Sequence, residues 1–227
     1  STESAFALKG GTAINLFYRD MPRLSVDIDL AYLPIEDRAT SLNAIDAAFD
    51  RITSQINKLP GASAQRIAGG GAGDTRILAD ADSVTIKIET SPVMRGAIGE
   101  PRLMRTTDAV EDAFGFVATN VLAFDDLYAG KLHAALDRQH PRDLFDIKLL
   151  YENEGLTDDL FRTFLVYAAC SNRPMHELLA PNEKDIAEEF AREFAGMTVE
   201  PVDLDDLLAV RKRLIDNVQA RLNGPAA

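Results

Sequence analysis

The stretch that decides the fold is Ser25-Val26-Asp27-Ile28-Asp29-Leu30. Its strict alternation reads as a β-strand, with Val26, Ile28 and Leu30 on one face and Ser25, Asp27 and Asp29 on the other. Carboxylates at i and i+2 on one strand face lie roughly 6–7 Å apart along the backbone. Their oxygens can converge on a hard divalent cation. Without a cation the two charges repel, so something must offset them. The competing reading is a solvated edge strand, but paired Asp is disfavoured in strands.

Immediately upstream, Phe6-Ala7-Leu8 reads as a short buried strand broken by Gly10-Gly11. Thr12 to Tyr18 has helical spacing, anchored by Ile14, Leu16, Phe17 and Tyr18. A glycine pair at the start of a helix suits a bound phosphate, because the first N–H groups have no partner within the helix. Alone the pair would read as a simple turn. Together the two stretches place a phosphate site beside a cation site.

Outward from this centre, Asp37 is placed to cap a helix of about 22 residues that ends near Leu59-Pro60-Gly61. A β section follows. Ala64–Ala68 and Thr75–Ala79 are short strands flanking Gly69-Gly70-Gly71-Ala72-Gly73, which reads as a hairpin loop because it lacks the G-x-G-x-x-G register. Ser83–Ser91 is the strongest strand, with Val84, Ile86 and Ile88 on one face and Thr85, Lys87 and Glu89 on the other. Residues 92–116 read as loop with short strands, and Val117–Leu122 as a closing strand. From Asp125 the pattern is helical, with helices near 125–137, from Pro141 to about 153, and at about 158–171, 182–195 and 203–222. The composition shift near residue 122 is the domain boundary: an α/β (α+β) mixed sheet with helices over 1–122, then a helical domain over 123–227.

The net charge is −12, shared as 16 Lys/Arg against 21 Asp/Glu in residues 1–150 and 8 against 15 in residues 151–227. This argues against a broad basic nucleic-acid surface and leaves only local patches for RNA. The basic residues Lys87, Arg95, Arg102 and Arg105 form one such patch. The run Arg211-Lys212-Arg213 reads instead as a solvated helix face. The single Cys170 excludes a disulfide framework and a cysteine zinc site, and suits a reducing compartment. His133, His140 and His176 have no ligand spacing. No run is apolar enough to span a membrane and no signal peptide is visible, so a cytoplasmic location without membrane contact is expected. The chain opens on Ser1 rather than Met, from which further upstream residues are expected.

At this point the chain resembles a known family. FALKGGTAINLFYRDMPRLSVDIDL, over residues 6–30, resembles the opening of the AbiEii/AbiGii-type toxins, which include the MenT toxins and belong to the DNA-polymerase-β-like nucleotidyltransferases. The likeness continues in VTIKIETSPVMRG, LYAGKLHAALDRQHPRDLFDI and NRPMHELL, and spans about residues 5–215.

The resemblance implies that Gly10, Gly11 and Thr12 cradle a triphosphate, and that Asp27 and Asp29 bind Mg²⁺, one ion or two. It matches Ser25 to the family's small hydroxyl residue, which serves catalysis, self-modification or only a local hydrogen bond. It matches Lys131 to a phosphate-holding lysine and Asp146 to an aspartate that positions it. Arg142 and Asp143 stand beside Asp146, Arg142 as a nucleotide contact and Asp143 in support of the site, or the two as a local ion pair at a helix start. Glu89 is the candidate third carboxylate, with a Lys87–Glu89 charge balance as the alternative.

The implied reaction is Mg²⁺-dependent transfer of a nucleoside monophosphate from an NTP to an acceptor hydroxyl, in a site between the two domains. The implied acceptor is the tRNA 3′ end, and the implied partner a cognate antitoxin that need not form a stable complex. Three other functions fit the same residues: an NMP transferase acting on proteins, a phosphotransferase using the γ-phosphate, and a non-catalytic nucleotide-binding module.

Overall fold

The computed structural model describes residues 3–25, 27–69, 73–91 and 94–224. The chain forms two compact units, Ser1–Met21 with Ser25–Ala123, and Pro22–Leu24 with Phe124–Ala227. The chain therefore passes from one unit to the other three times, and three residues just ahead of the acidic strand belong to the helical unit.

The first unit is α/β. Its strands are β1 (Phe6–Lys9), β2 (Asp27–Tyr32), β3 (Ala62–Gly69), β4 (Gly73–Ala81), β5 (Val84–Thr90), β6 (Arg102–Arg105) and β7 (Ala118–Val121). Its helices are α1 (Gly10–Phe17), α2 (Arg38–Ile56) and α3 (Asp108–Phe114). The strands form one seven-stranded mixed sheet in the order β3-β4-β5-β2-β1-β7-β6. β2 is thus the middle strand, not an edge. It runs antiparallel to β1 and parallel to β5.

Its apolar side explains the placement. Phe6, Tyr32, Ile77 and Ile88 from the sheet pack with Ile45, Ala48 and Phe49 of α2 in one buried cluster. The Asp37 side chain accepts hydrogen bonds from the Ala39 and Thr40 N–H groups at 2.9 and 3.0 Å, as its place ahead of α2 predicts. β3 and β4 form the expected antiparallel hairpin. The three residues at its tip, Gly70-Gly71-Ala72, lie outside the described residues.

One expectation fails in this unit, and one strand face is more exposed than its alternation suggests. Residues 92–116 contain a helix, α3, as well as β6; Asp108 and Glu111 in its first turn suit the positive end of the helix dipole. Val84 and Ile86 alternate like buried residues yet are exposed. Among the described residues β2 pairs with β5 from Lys87 to Thr90, while Val84 and Ile86 pair with β4.

The second unit is helical: α4 (Phe124–Asp137), α5 (Pro141–Glu152), α6 (Asp158–Ala169), α7 (Met175–Leu179), α8 (Ala187–Glu193) and α9 (Leu204–Asn223). α4 packs against α5 and α6, and α5 against α9. The short α7 is additional to the helices expected here. Leu132, Leu136, Leu144, Ile147, Leu150 and Phe164 are fully buried. Pro22–Leu24 joins this unit as an extended strip. Arg23 makes a β-bridge with Thr198, Leu24 N–H donates to Met197 O at 2.9 Å, and Val199 N–H donates to Pro22 O at 2.9 Å. No helix among the described residues is long and apolar enough to cross a membrane.

Candidate active site

In the first unit the antiparallel pairing of β1 with β2 sets Lys9 opposite Asp29, so the glycine pair that opens α1 arrives beside the carboxylates. Gly10 has φ +74°, a conformation that glycine adopts without penalty. A Cβ at Gly10 would collide with Asp29 Oδ2 and lie 3.1 Å from the Asp29 Cβ and Cγ. The Asp29 carboxylate therefore rests directly against the glycine turn. Lys9, the residue ahead of α1, provides no side-chain cap, and the first turn holds no acid. Thr12, one turn in, shares a hydrogen bond with Ser25 (Oγ1 to Oγ, 2.8 Å) and donates another to the backbone oxygen of Asp27. The helix start and the start of the acidic strand are thus tied through one hydroxyl pair.

Across the sheet, the parallel register pairs Asp27 with Lys87 and Asp29 with Glu89. Lys87 Nζ is 3.5 Å from Asp27 Oδ2 and 3.3 Å from Glu89 Oε1. Arg76 Nε reaches Glu89 Oε2 at 3.0 Å. Among the described residues no group of three or more His, Cys, Asp or Glu side chains is disposed to hold a metal. The donor set nonetheless fits Mg²⁺ in its usual mode, one or two carboxylates completed by substrate phosphates and water rather than an all-protein cage. Asp27 and Asp29 would hold the ion, and Glu89 is engaged by Arg76 and Lys87.

In the second unit, Lys131, Asp143 and Asp146 come together in a buried charge cluster. Lys131 Nζ is 2.9 Å from Asp143 Oδ1 and 2.9 Å from Asp146 Oδ2. Asp146 also receives a two-pronged contact from Arg23, Nε to Oδ1 at 2.8 Å and Nη2 to Oδ2 at 2.7 Å. Asp143 receives Arg138 through Nε at 2.5 Å and Nη2 at 3.0 Å. Arg23, Lys131 and Arg138 thus converge on the two buried carboxylates. Burial alone would raise the Asp143 carboxyl, but Lys131 and Arg138 outweigh it and hold the group well below the usual carboxylate range. Burial would likewise lower the Lys131 ammonium, and Asp143 and Asp146 reverse this and raise it.

The cluster shows what sequence reasoning missed. Arg23 lies in the link between α1 and β2 and its partner is 123 positions away, so no local signal connects them. Asp143 pairs with Lys131 and Arg138 rather than with its neighbour Arg142. Arg142 is half-buried in the first turn of α5, its backbone N–H bonded to His140 Nδ1 at 3.1 Å and its charge near Glu193. Arg211 is not part of a solvated face. It is buried against Gln139, the backbone oxygen of Lys184 and Glu183. Helical spacing explains this: Arg211 lies on the same face as the buried Leu207, Leu214 and Val218. Lys212 is exposed, and Arg213 lies over the Tyr151 ring at 4.1 Å.

The sequence matches, over residues 1–222, the family described as nucleotidyl transferase AbiEii toxin, type IV toxin–antitoxin system. The chain belongs to this AbiEii family. It is a nucleotidyltransferase toxin of the type IV toxin–antitoxin class, which implies an NTP substrate and an antitoxin partner. This sets aside the phosphotransferase and the non-catalytic binding module.

Two solved structures share the fold. MenT4, a nucleotidyltransferase toxin from Mycobacterium tuberculosis H37Rv, matches with TM-score 0.70 at 15% identity, covering 99% of this chain and 77% of that one. JHP933 from Helicobacter pylori matches with TM-score 0.54 at 17% identity, covering 97% and 86%. No curated protein sequence matches the chain significantly.

Proposed function

We propose that this AbiEii-family chain transfers a nucleoside monophosphate from an Mg²⁺-bound NTP to an acceptor hydroxyl, and that the acceptor is the 3′ end of tRNA in the cytoplasm. One observation carries the reading: two carboxylates on the middle strand of a sheet, with a glycine turn packed directly against one of them. Acids are poor central-strand residues, so a pair there is retained for a charge that arrives with the substrate.

In this reading the N–H groups at Gly11 and Thr12 receive phosphate oxygens, with Gly10 allowing the close approach. Ser25 and Thr12 fix the spacing between that cradle and Asp27. Asp27 and Asp29 would hold the ion, whose chemistry when bound is to neutralise phosphate charge and favour ionisation of the acceptor hydroxyl. The acceptor oxygen forms a bond to the α-phosphorus, the bond from that phosphorus to the α,β-bridging oxygen breaks, and pyrophosphate leaves. Lys131 serves as the phosphate-facing charge. Its ammonium has three donors; one goes to Asp143, and Asp146 lies 2.9 Å away as an ion-pair partner. Asp146 positions it, with Arg23 holding Asp146 in turn. Arg142 is assigned to the nucleotide as a second cation.

The test is incubation with total tRNA and each α-labelled NTP in Mg²⁺. Labelled RNA with the wild type and none with Asp27→Ala is expected. Label on protein instead would move the acceptor to a protein hydroxyl. A blank with all four nucleotides, or equal labelling by Asp27→Ala, would overturn the reading.

A further inference from the structure

On the sheet face Arg76 meets Glu89 at 3.0 Å, but the two Lys87 ion pairs differ in kind from those in the helical unit. There the charged groups meet at 2.5–3.0 Å, the range of hydrogen bonds between charged partners. Lys87 instead stands 3.5 Å from Asp27 and 3.3 Å from Glu89, between two carboxylates on adjacent strands, with a third of its side chain exposed. Its ammonium is close enough to neutralise both acids and seated tightly on neither. Asp27 is also one of the two residues assigned to the metal.

We infer that Lys87 is the resident counter-ion of this carboxylate site, and that it opposes divalent-cation binding until a nucleotide arrives. The inference rests on the assignment of Asp27 as a metal ligand. A unit positive charge 3.5 Å from a carboxylate oxygen assigned to a divalent cation repels that cation, while the same charge offsets the repulsion between Asp27 and Glu89 in the protein alone. A triphosphate reverses the balance, because it brings more negative charge than one lysine can neutralise, and the cation is then favoured in spite of Lys87. The metal and the nucleotide therefore bind together, which keeps the free protein from accumulating metal. Lys87 is a positioning residue in this scheme. A merely structural lysine would predict that its loss weakens the site; a resident counter-ion predicts the opposite.

The test uses Mn²⁺ as the probe and free-Mn²⁺ electron paramagnetic resonance as the readout, on the full chain without nucleotide. Lys87→Gln is expected to bind Mn²⁺ more tightly than wild type, by roughly fivefold or more, the worth of one unit charge at this distance in a water-exposed site. Lys87→Arg, which keeps the charge, is expected to match the wild type. Equal or weaker binding by Lys87→Gln, including no binding by either protein, overturns the inference. Asp27→Asn separates the two levels. If it binds as wild type does, the metal assignment of Asp27 fails; if it loses binding while Lys87→Gln is unchanged, the role of Lys87 alone fails.

Discussion

Two groups of acids and bases, one in each unit, are built from the same side chains to opposite ends. On the sheet face, Asp27, Asp29 and Glu89 face Lys87 and Arg76, and the side chains of Asp27, Lys87 and Glu89 are a quarter to a third exposed. The Lys87 contacts are long. In the helical unit, Arg23, Lys131 and Arg138 face Asp143 and Asp146, and both aspartates are fully buried. The contacts are short. The difference lies in what each can give up. An exposed, loosely paired carboxylate can change partner at little cost. A buried, saturated one cannot, because removing either partner strands a charge in a medium that does not solvate it.

This contrast can be broken most sharply by removing one acid from each group. Asp27→Asn is expected to cut nucleotidyl transfer by at least about 10²-fold, while thermal unfolding stays close to wild type, since the change removes a repulsive charge. Asp146→Ala is expected to lower stability by about 3–5 kcal/mol, because Arg23 and Lys131 are left buried against each other. Denaturant unfolding of both variants checks the pair. Equal stability losses would erase the distinction between the groups. Gly10→Ala should fall between them in stability, at about 1–3 kcal/mol, from the left-handed backbone and the collision with Asp29. It should also lose activity.

The smallest expected effect is on pH dependence. Asp143 titrates below its unfolded value, so its contribution is fully present above about pH 4 and is lost as the pH falls through the folded value. Lys131 titrates above its unfolded value, so its contribution is fully present below about pH 10 and is lost as the pH rises through the folded value. Stability measured against pH should therefore fall on both flanks, and Asp143→Asn should flatten the acid flank.

How much was legible beforehand follows the same division. The Asp27/Asp29 half of the sheet-face group is local in sequence, exposed by alternation as the cradle is by a glycine pair before a helical pattern, whereas Lys87, Glu89 and Arg76 reach it only through sheet pairing. The Asp37 cap and the main helices were equally local. The helical-unit cluster was half legible. Lys131 and Asp146 were named through a family likeness, but their burial, the role of Asp143 and the whole contribution of Arg23 depend on contacts distant in sequence. Arg211 was misread because two other basic residues adjoin it and only helical phase separates it from them. α3 was missed because Gly, Pro and Arg dominate its surroundings, although Thr107, Asp108 and Glu111 carried a start signal.

The central claim is that Asp27 and Asp29 hold the metal of a nucleotide whose phosphates rest on the glycine turn. The direct measurement is a crystal structure with Mn²⁺ and a non-hydrolysable NTP, read by the anomalous signal of the metal. The expected result is an Mn²⁺ peak bonded to Asp27 and Asp29, with phosphate oxygens on the Gly11 and Thr12 N–H groups. A nucleotide bound elsewhere, or a metal bound without either carboxylate, would contradict the account.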